Sequence, residues 1–207
     1  MTVTRLRRVP ARARRTHAER TAATRAKILA AVVESIAEVG LQRTTAAEIT
    51  RRAGVTWGAV QHHFGDKSEL LMAVLEDSFE RFAARLEGLP IEGLSLETRA
   101  TCFVERAWEH FASREYASTF EILLDMRRAH PADADWQERM SRAWDGVWRR
   151  LFGDAPISHR RHGALQHYTI SVLSGLASTL MLEGRGARVR AAELALLDAT
   201  LVRELRA

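Results

Sequence analysis

The 207-residue sequence is poor in residues that interrupt helices or cross-link chains. It has four prolines and a single cysteine, Cys102, so no internal disulfide can form and we expect a reduced, cytoplasmic protein. No run approaches the ~18 consecutive apolar residues of a membrane span, and the first residues lack the apolar core of a secretory signal. No segment alternates apolar and polar residues with a period of two, so we predict no sheet.

Acidic residues are nearly absent from the first 27 positions. This segment carries nine Arg and Lys side chains and one acid, the rest of the chain is close to neutral, and the formal net charge is +5. A basic arm on a near-neutral body favours a polyanionic partner. A solvated tail and an organelle transit peptide are the alternatives. Because the arm has no apolar periodicity, we predict that residues 1–20 are disordered.

Enzyme and metal signatures are missing as well. The sequence contains no G-x-S-x-G, no phosphate-cradling glycine loop and no H-E-x-x-H. Cys102 has apolar neighbours, which favours a small buried hydrophobe over a nucleophile. The adjacent His62 and His63 diverge by ~100° on a helix and cannot converge on one ion. We therefore predict no catalytic activity, no metal site and no cofactor.

Apolar residues instead recur with helical spacing. A first helix ends at Gly40, and two helices of about eight residues follow, capped by Thr45 and Thr56 and separated by Gly54. Helices this short must pack against the first one to be stable. Three such helices with a tight glycine turn form a helix-turn-helix domain, which we place at residues 21–66.

Longer amphipathic helices are predicted after this unit. The pattern places them near residues 67–87, 95–112, 114–129, 133–152, 158–183 and 189–206. The predicted fold is therefore all-α, with about nine helices. The N-terminal three-helix domain is followed by a helical ligand-binding and dimerisation domain over residues 67–207.

Residues 44–71, TTAAEITRRAGVTWGAVQHHFGDKSELL, resemble the signature of TetR-type transcriptional regulators. The matching positions are Thr45, Ile49, Ala53, Gly54, Val55, Gly58, His63, Phe64, Lys67 and Leu70. The rest of the chain matches this family only in length and in the number and order of helices. The resemblance implies a homodimer that binds a palindromic double-stranded DNA operator and responds to a small molecule. Repression is the favoured outcome, with activation as the alternative.

The predicted DNA contacts lie on the outward side of the second short helix and at the ends of its neighbours. N-terminal residues of a recognition helix reach base edges or phosphates in the major groove. The pattern leaves Trp57 exposed, and Gln61 can pair with adenine. The predicted DNA-binding residues are Thr45, Thr56, Trp57, Gly58, Gln61, His62, His63 and Lys67. Tyrosine is common in the family at positions 61 and 62, so Gln61 and His62 depart from its pattern.

Four of the five tryptophans lie between residues 108 and 148. Aromatic side chains often line apolar ligand cavities, and the family's cavity lies in these helices, so we predict a small apolar or aromatic effector. The predicted pocket residues are Trp108, Phe111, Tyr116, Phe120, Trp144, Trp148 and Tyr168. Ordinary core packing is the alternative for each of them. The alternative function is an orphan regulator or interaction module with a filled sensor core and no effector.

The last two helices are predicted to form the dimer surface. One face of the first of them carries small residues, and the second has a continuous apolar stripe. The predicted interface residues are Ser171, Ser174, Gly175, Ser178, Leu194, Leu197 and Leu201. Burial of the stripe within one chain is the alternative. A dimer would space two recognition helices ~34 Å apart, as successive major grooves require.

Overall fold

The structure is a computed structural model that describes residues 16–129, 134–183 and 190–206. These residues form nine α-helices and no strand, which confirms the predicted all-helical class. The helices are α1 (His17–Val39), α2 (Ala46–Ala53), α3 (Trp57–Phe64), α4 (Lys67–Glu87), α5 (Leu96–Phe111), α6 (Arg114–Ala129), α7 (Ala134–Phe152), α8 (His159–Glu183) and α9 (Ala191–Leu205), with a short 3-10 helix at Leu41–Arg43. None of the described helices combines the length and apolarity that a membrane crossing needs.

Helix α1 begins earlier than the sequence pattern predicted. The hydroxyl of Thr16 accepts from the Glu19 backbone N–H at 3.2 Å, and the Glu19 carboxylate accepts from the Thr16 N–H at 2.8 Å. This reciprocal capping box starts the helix well before its first buried residue, Ile28. Residues 17–20 are therefore helical although we predicted them as part of the disordered arm. The remainder of that arm, residues 1–15, lies outside the described residues.

Two clusters of buried side chains divide the described part of the chain. The N-terminal cluster joins α1, α2, α3 and the first half of α4, and the C-terminal cluster joins the second half of α4 with α5, α7, α8 and α9. Helix α4 belongs to both, with Leu70 and Val74 in the first and Phe82 and Leu86 in the second. Burial of one such side chain contributes roughly 1.5–3 kcal/mol, so α4 is held firmly at both ends.

Helix α6 also contacts both parts of the fold. Ile122 is buried in the N-terminal cluster, and the Ser118 hydroxyl donates to the carbonyl of Val33 in α1 at 3.1 Å. The Glu121 carboxylate accepts from the backbone N–H of Leu41 at 3.0 Å. This contact satisfies a backbone donor just beyond the end of α1. These hydrogen bonds join α6 to α1 and to the residue just beyond its end.

The apolar stripe of α9, which we predict from the sequence as part of a dimer surface, instead faces the interior of its own chain. Leu197 and Leu201 are fully buried in the C-terminal cluster of their own chain, and Leu194 is partly buried against it. The alternative interpretation, burial within one chain, therefore holds for Leu197 and Leu201. An amphipathic pattern shows that a helix face is covered, but not which surface covers it.

Candidate functional site

Local hydrogen bonds fix the geometry of the helix-turn-helix. The Thr45 hydroxyl accepts from the Glu48 N–H at 3.3 Å, and the Thr56 hydroxyl accepts from the Ala59 N–H at 3.2 Å. Between the two helices Gly54 adopts the left-handed conformation, with φ 63° and ψ 38°. Only glycine and a few polar residues adopt this conformation at low cost. The two caps and the turn therefore set the angle at which α3 leaves α2.

Four of the predicted DNA contacts are exposed, three on one face of α3 and one at its N-cap. Thr56, Gly58, Gln61 and His62 are exposed, and the last three are spaced so that they share one side of the helix. The nearest atom to a Cβ built on Gly58 is the Thr56 hydroxyl oxygen at 3.9 Å, so the space in front of this glycine is open. The face is thus open to solvent in the single chain.

The remaining predicted contacts surround this face. Thr45 is exposed at the start of α2, whereas His63 and Lys67 are half-buried at the end of α3 and the start of α4. Trp57 differs from our expectation of full exposure, because it is half-buried and packs against the N-terminal cluster. Its ring therefore contributes to the attachment of α3 as well as to its surface.

Arg25 of α1 holds the end of α3 in place, and sequence reasoning missed it. Its guanidinium carbon lies 4.4 Å above the centroid of the Phe64 ring, in a cation–π arrangement. Its Nη1 also donates to the backbone carbonyl of His63 at 3.5 Å. Arg25 and His63 are 38 positions apart, and no local sequence pattern links them.

The arginines of α2 are bound to carboxylates. Glu48 accepts hydrogen bonds from Arg51 at 2.7 Å and from Arg52 at 2.5 Å, and Arg52 also binds Glu38 of α1 at 2.6 Å. Hydrogen bonds from Arg51 and then Arg52 lower the pKa of Glu48 to about 2, so it remains ionised at neutral pH. The network ties α2 to α1 and offsets the positive charge of both arginines.

We expect Lys67→Ala to weaken DNA binding about equally for all sequences. Lys67 lies in the first turn of α4, beside the predicted recognition helix α3. At this position we expect its ammonium to bind a DNA phosphate through charge alone. Loss of one phosphate contact should reduce the slope of log K against log salt by about 0.9. Arg142→Ala, which removes one exposed positive charge from α7, is the matched control. A changed sequence preference with an unchanged salt slope would disprove the phosphate role.

Most of the predicted pocket residues lie within or against the C-terminal cluster. Phe111, Trp144 and Trp148 are buried in it, and Trp108 and Tyr116 pack against it half-buried. Ring contacts extend the cluster along α6, with 4.7 Å between the centroids of Phe111 and Tyr116.

Two other predicted pocket residues are placed differently. The half-buried Phe120 stacks on Tyr116 at 5.9 Å between centroids, so it continues the row of rings. Tyr168 of α8 is 43% exposed and does not belong to the cluster. The structure therefore brings together six of the seven predicted residues.

Phe82 and His110 occupy the middle of this cluster, and sequence reasoning missed both. The Phe82 ring stacks on His110 at 4.3 Å and on Trp144 at 5.6 Å. Burial lowers the pKa of His110 to about 4, so its imidazole is neutral at physiological pH. The sequence offered one signal for His110, namely its position between the aromatic residues Trp108 and Phe111 on the same helix.

An open groove runs between α4 and α7 beside the cluster. Its volume is about 420 Å³, within the range of small-molecule sites. Phe79, Ala83, Met140 and Ala143 form its apolar lining, and charged residues of both helices complete it. This groove reaches the surface, whereas Trp144 and Trp148 lie inside the fold.

Comparison with known proteins relates the chain to regulators along most of its length. The sequence model described as "Bacterial regulatory proteins, tetR family" matches residues 28–74. The HTH-type transcriptional regulator BetI of Escherichia coli (strain SE11) is 30% identical in a match that covers 69% of this chain and 93% of BetI.

Solved structures share the fold at lower sequence identity. A transcriptional regulator from Rhodococcus sp. Rha1 is 23% identical with a TM-score of 0.66, over 87% of this chain and 95% of that one. The transcriptional regulator FadR from Bacillus subtilis, solved in complex with stearoyl-CoA, is 14% identical with a TM-score of 0.64, over 87% and 96% of the two chains.

Proposed function

This chain belongs to the TetR family of bacterial regulatory proteins, and we propose that it is a ligand-responsive repressor. Members of this family are DNA-binding transcriptional regulators, and this chain is therefore a regulator rather than an enzyme. It binds a palindromic operator as a homodimer and releases it when a small apolar or aromatic effector enters the C-terminal domain. The exposed face of α3 carries the proposal. Its open backbone at Gly58 and its polar Gln61 suit insertion into a major groove.

The outward surfaces of α8 and α9 support dimerisation. Among the described residues, three of the five exposed large hydrophobic side chains lie on these helices, namely Tyr168, Leu182 at 89% and Leu196 at 70% exposure. The small residues Ser171 and Gly175 are exposed on α8 and would allow a second helix to approach closely. Large apolar side chains exposed on two neighbouring helices favour a protein interface there.

Ser174 and Ser178, also predicted at the interface, are half-buried and take part in hydrogen bonds within the chain. Ser174 accepts from the Tyr116 hydroxyl at 3.2 Å, and Ser178 donates to the Ser174 carbonyl at 2.8 Å. The proposed interface therefore centres on Ser171, Gly175 and Leu196.

Helices α4 and α6 provide the physical connection between effector and DNA. Phe82 of α4 and Tyr116 of α6 contact the aromatic cluster, while Val74 and Ile122 of the same helices lie in the N-terminal cluster. An effector that binds more tightly to one arrangement of these helices shifts the population toward that arrangement. Release follows when the favoured spacing of the two recognition helices no longer matches the groove spacing.

A filled sensor core without an effector is the second candidate function. The close packing of Trp148 favours it, since this ring is fully buried and lies 4.8 Å from Phe152 and 5.9 Å from Phe103. Such a protein would bind DNA in the same way but would respond to a partner protein or to its own concentration. The bound stearoyl-CoA of the similar FadR structure supports the first candidate, because that related fold accommodates a ligand.

The deciding experiment selects binding sites for the full chain from random double-stranded DNA. We expect inverted repeats whose half-sites are centred about 10–10.5 base pairs apart, or a multiple of this, with two chains per site. Sedimentation equilibrium on the free protein should give a dimer. Enrichment of non-palindromic sites bound by one chain would refute the homodimeric mode.

Leu196→Glu is the variant that separates dimerisation from folding. The side chain is exposed in the single chain, so the substitution leaves the buried core intact while placing a charge in the proposed interface. We expect a monomer with an unchanged helical circular dichroism spectrum and at least a tenfold loss of operator affinity. Leu94→Glu, which replaces an exposed leucine between α4 and α5, is the matched control and should remain dimeric.

A further inference from the structure

One buried polar group of the C-terminal cluster has no hydrogen-bond partner. Trp144 is 6% exposed, and its indole Nε1 donates to no acceptor within the described residues. Trp148, one helical turn later and similarly buried, donates from its Nε1 to His162 Nδ1 at 3.3 Å. Buried donors are almost always paired in folded proteins, because an unpaired one loses its hydration without compensation. The contrast between the two tryptophans therefore needs an explanation.

A second polar ring without a hydrogen-bond partner, that of His110, stacks on Phe82 next to Trp144. His110, 7% exposed, contacts Phe82, Phe111 and Tyr116 through its ring, and neither ring nitrogen forms a hydrogen bond within the described residues. Its neutral imidazole has one donor and one acceptor nitrogen. Phe82 stacks on both His110 and Trp144, so the two unpaired groups belong to one aromatic site.

We propose that this site binds an uncharged aromatic compound and that the Trp144 indole N–H donates to a hydrogen-bond acceptor on it, such as a ketone oxygen. The proposal rests on the ligand response proposed above and specifies the class of effector. Flat rings suit the site because aromatic side chains stack favourably in offset and edge-to-face arrangements. Binding displaces the half-buried Tyr116 and Phe120 at the edge of the cluster, both of which belong to α6.

The scarcity of buried charge around the site favours a neutral ligand over an ionic one. Among the described residues, the one buried side chain with a full charge is Arg99, whose two Nη atoms donate to Asp154 at 2.8 and 2.7 Å. The charges that act on His110, those of Glu115, Arg85 and Arg81, belong to exposed or half-buried side chains. A carboxylate or ammonium buried against Trp144 would therefore have no buried counter-ion. Burial of an unpaired charge is far less favourable than burial of a neutral polar group.

Three probes of nearly equal size test the class of ligand by isothermal titration calorimetry. They are 2-acetylnaphthalene, with a ketone acceptor, 2-isopropenylnaphthalene, in which a methylene replaces the ketone oxygen, and the anion 2-naphthoate. We expect the full-length protein to bind the ketone about tenfold more tightly than the hydrocarbon, and the anion most weakly. Equal affinity for ketone and hydrocarbon, tighter binding of the anion, or no binding of any probe at its solubility limit would overturn the inference.

Trp144→Phe and Trp148→Phe form a matched pair of variants. Each removes an indole N–H and similar ring area, but only Trp148 has an acceptor in the free protein. We expect the preference for the ketone to disappear in Trp144→Phe and to persist in Trp148→Phe. In the absence of any probe, the melting temperature of Trp144→Phe should exceed that of Trp148→Phe by about 2–4 °C.

A Trp144→Phe protein that keeps the ketone preference, or that melts lower than Trp148→Phe, would show that Trp144 is not the donor. The same preparations are tested for binding to the selected operator without any probe. Loss of probe selectivity with intact operator binding rejects the ligand class alone. Failure of the unmodified protein to bind any selected operator rejects the proposed function itself.

Discussion

Gly58→Glu is expected to lower operator affinity at least 100-fold while leaving the fold intact. The substituted side chain would project from the exposed face of α3 into open space, where the nearest atom to its Cβ is 3.9 Å away. It would occupy the space that a DNA backbone must enter and would place a negative charge against phosphates. A 100-fold loss corresponds to about 2.7 kcal/mol, which one excluded contact and one repulsive charge readily supply.

The same substitution should not destabilise the protein. Position 58 is in the first turn of α3, where a carboxylate interacts favourably with the helix dipole and where glutamate has a higher helix propensity than glycine. The free energy of unfolding from urea denaturation is therefore expected to be unchanged or to rise by about 0.5–1 kcal/mol. Operator affinity is measured by fluorescence anisotropy on the same samples.

Thr98→Glu is the control for this prediction. It introduces the same charge in the first turn of α5, at an exposed position in the C-terminal part of the fold, and should leave operator affinity within about threefold. Operator binding by Gly58→Glu within about threefold of the unmodified protein would mean that the start of α3 does not enter the groove.

The helix-turn-helix was predictable from sequence because its signals are local. Thr45, Thr56 and Asp66 each cap a helix through a backbone N–H three residues later, and Gly54 adopts the left-handed conformation between two of these helices. Each signal involves residues within one turn of each other, so no knowledge of the tertiary fold is needed. The same type of signal at Thr16 and Glu19 was overlooked, because the basic composition of this region suggested disorder.

Long-range contacts account for what the sequence did not reveal. The stripe containing Leu197 and Leu201 predicted a covered face of α9, but only the structure identifies the cover as the protein's own C-terminal cluster. The contact of Arg25 with Phe64 and the stacking of Phe82 on His110 likewise join distant segments. The pattern of a single helix contains no information about its partner helix.

Gly65→Ala is expected to destabilise the protein by roughly 2–4 kcal/mol, the largest loss for any exchange of glycine for alanine in the helix-turn-helix. Gly65 has φ 85° and ψ −117°, a backbone conformation that is essentially restricted to glycine. A Cβ at this position would also lie 1.8 Å from the Glu69 Oε2 atom. That oxygen accepts from the Asp66 N–H at 2.9 Å, so the added methyl group disrupts the capping box that starts α4.

Gly54→Ala is the matched comparison, because Gly54 also has a positive φ but no atom lies within 4 Å of a Cβ built there. Its cost should be limited to the left-handed conformation, about 1–2 kcal/mol, and Gly54→Asn should cost less. Urea denaturation measures the free energy of unfolding of each variant. A Gly65→Ala variant no less stable than Gly54→Ala would show that neither the conformation nor the Glu69 contact constrains position 65.

A double-mutant cycle with Glu69→Ala separates the two causes at Gly65. Glu69→Ala alone removes the capping hydrogen bond and should cost about 1 kcal/mol. If the methyl group acts partly by displacing Glu69, the double variant will be less destabilised than the sum of the single ones, by about the same amount. Strict additivity would instead assign the whole effect of Gly65→Ala to backbone strain. In either case α4 begins with Lys67 two residues later, so the variant should also weaken operator binding by displacing this predicted phosphate contact.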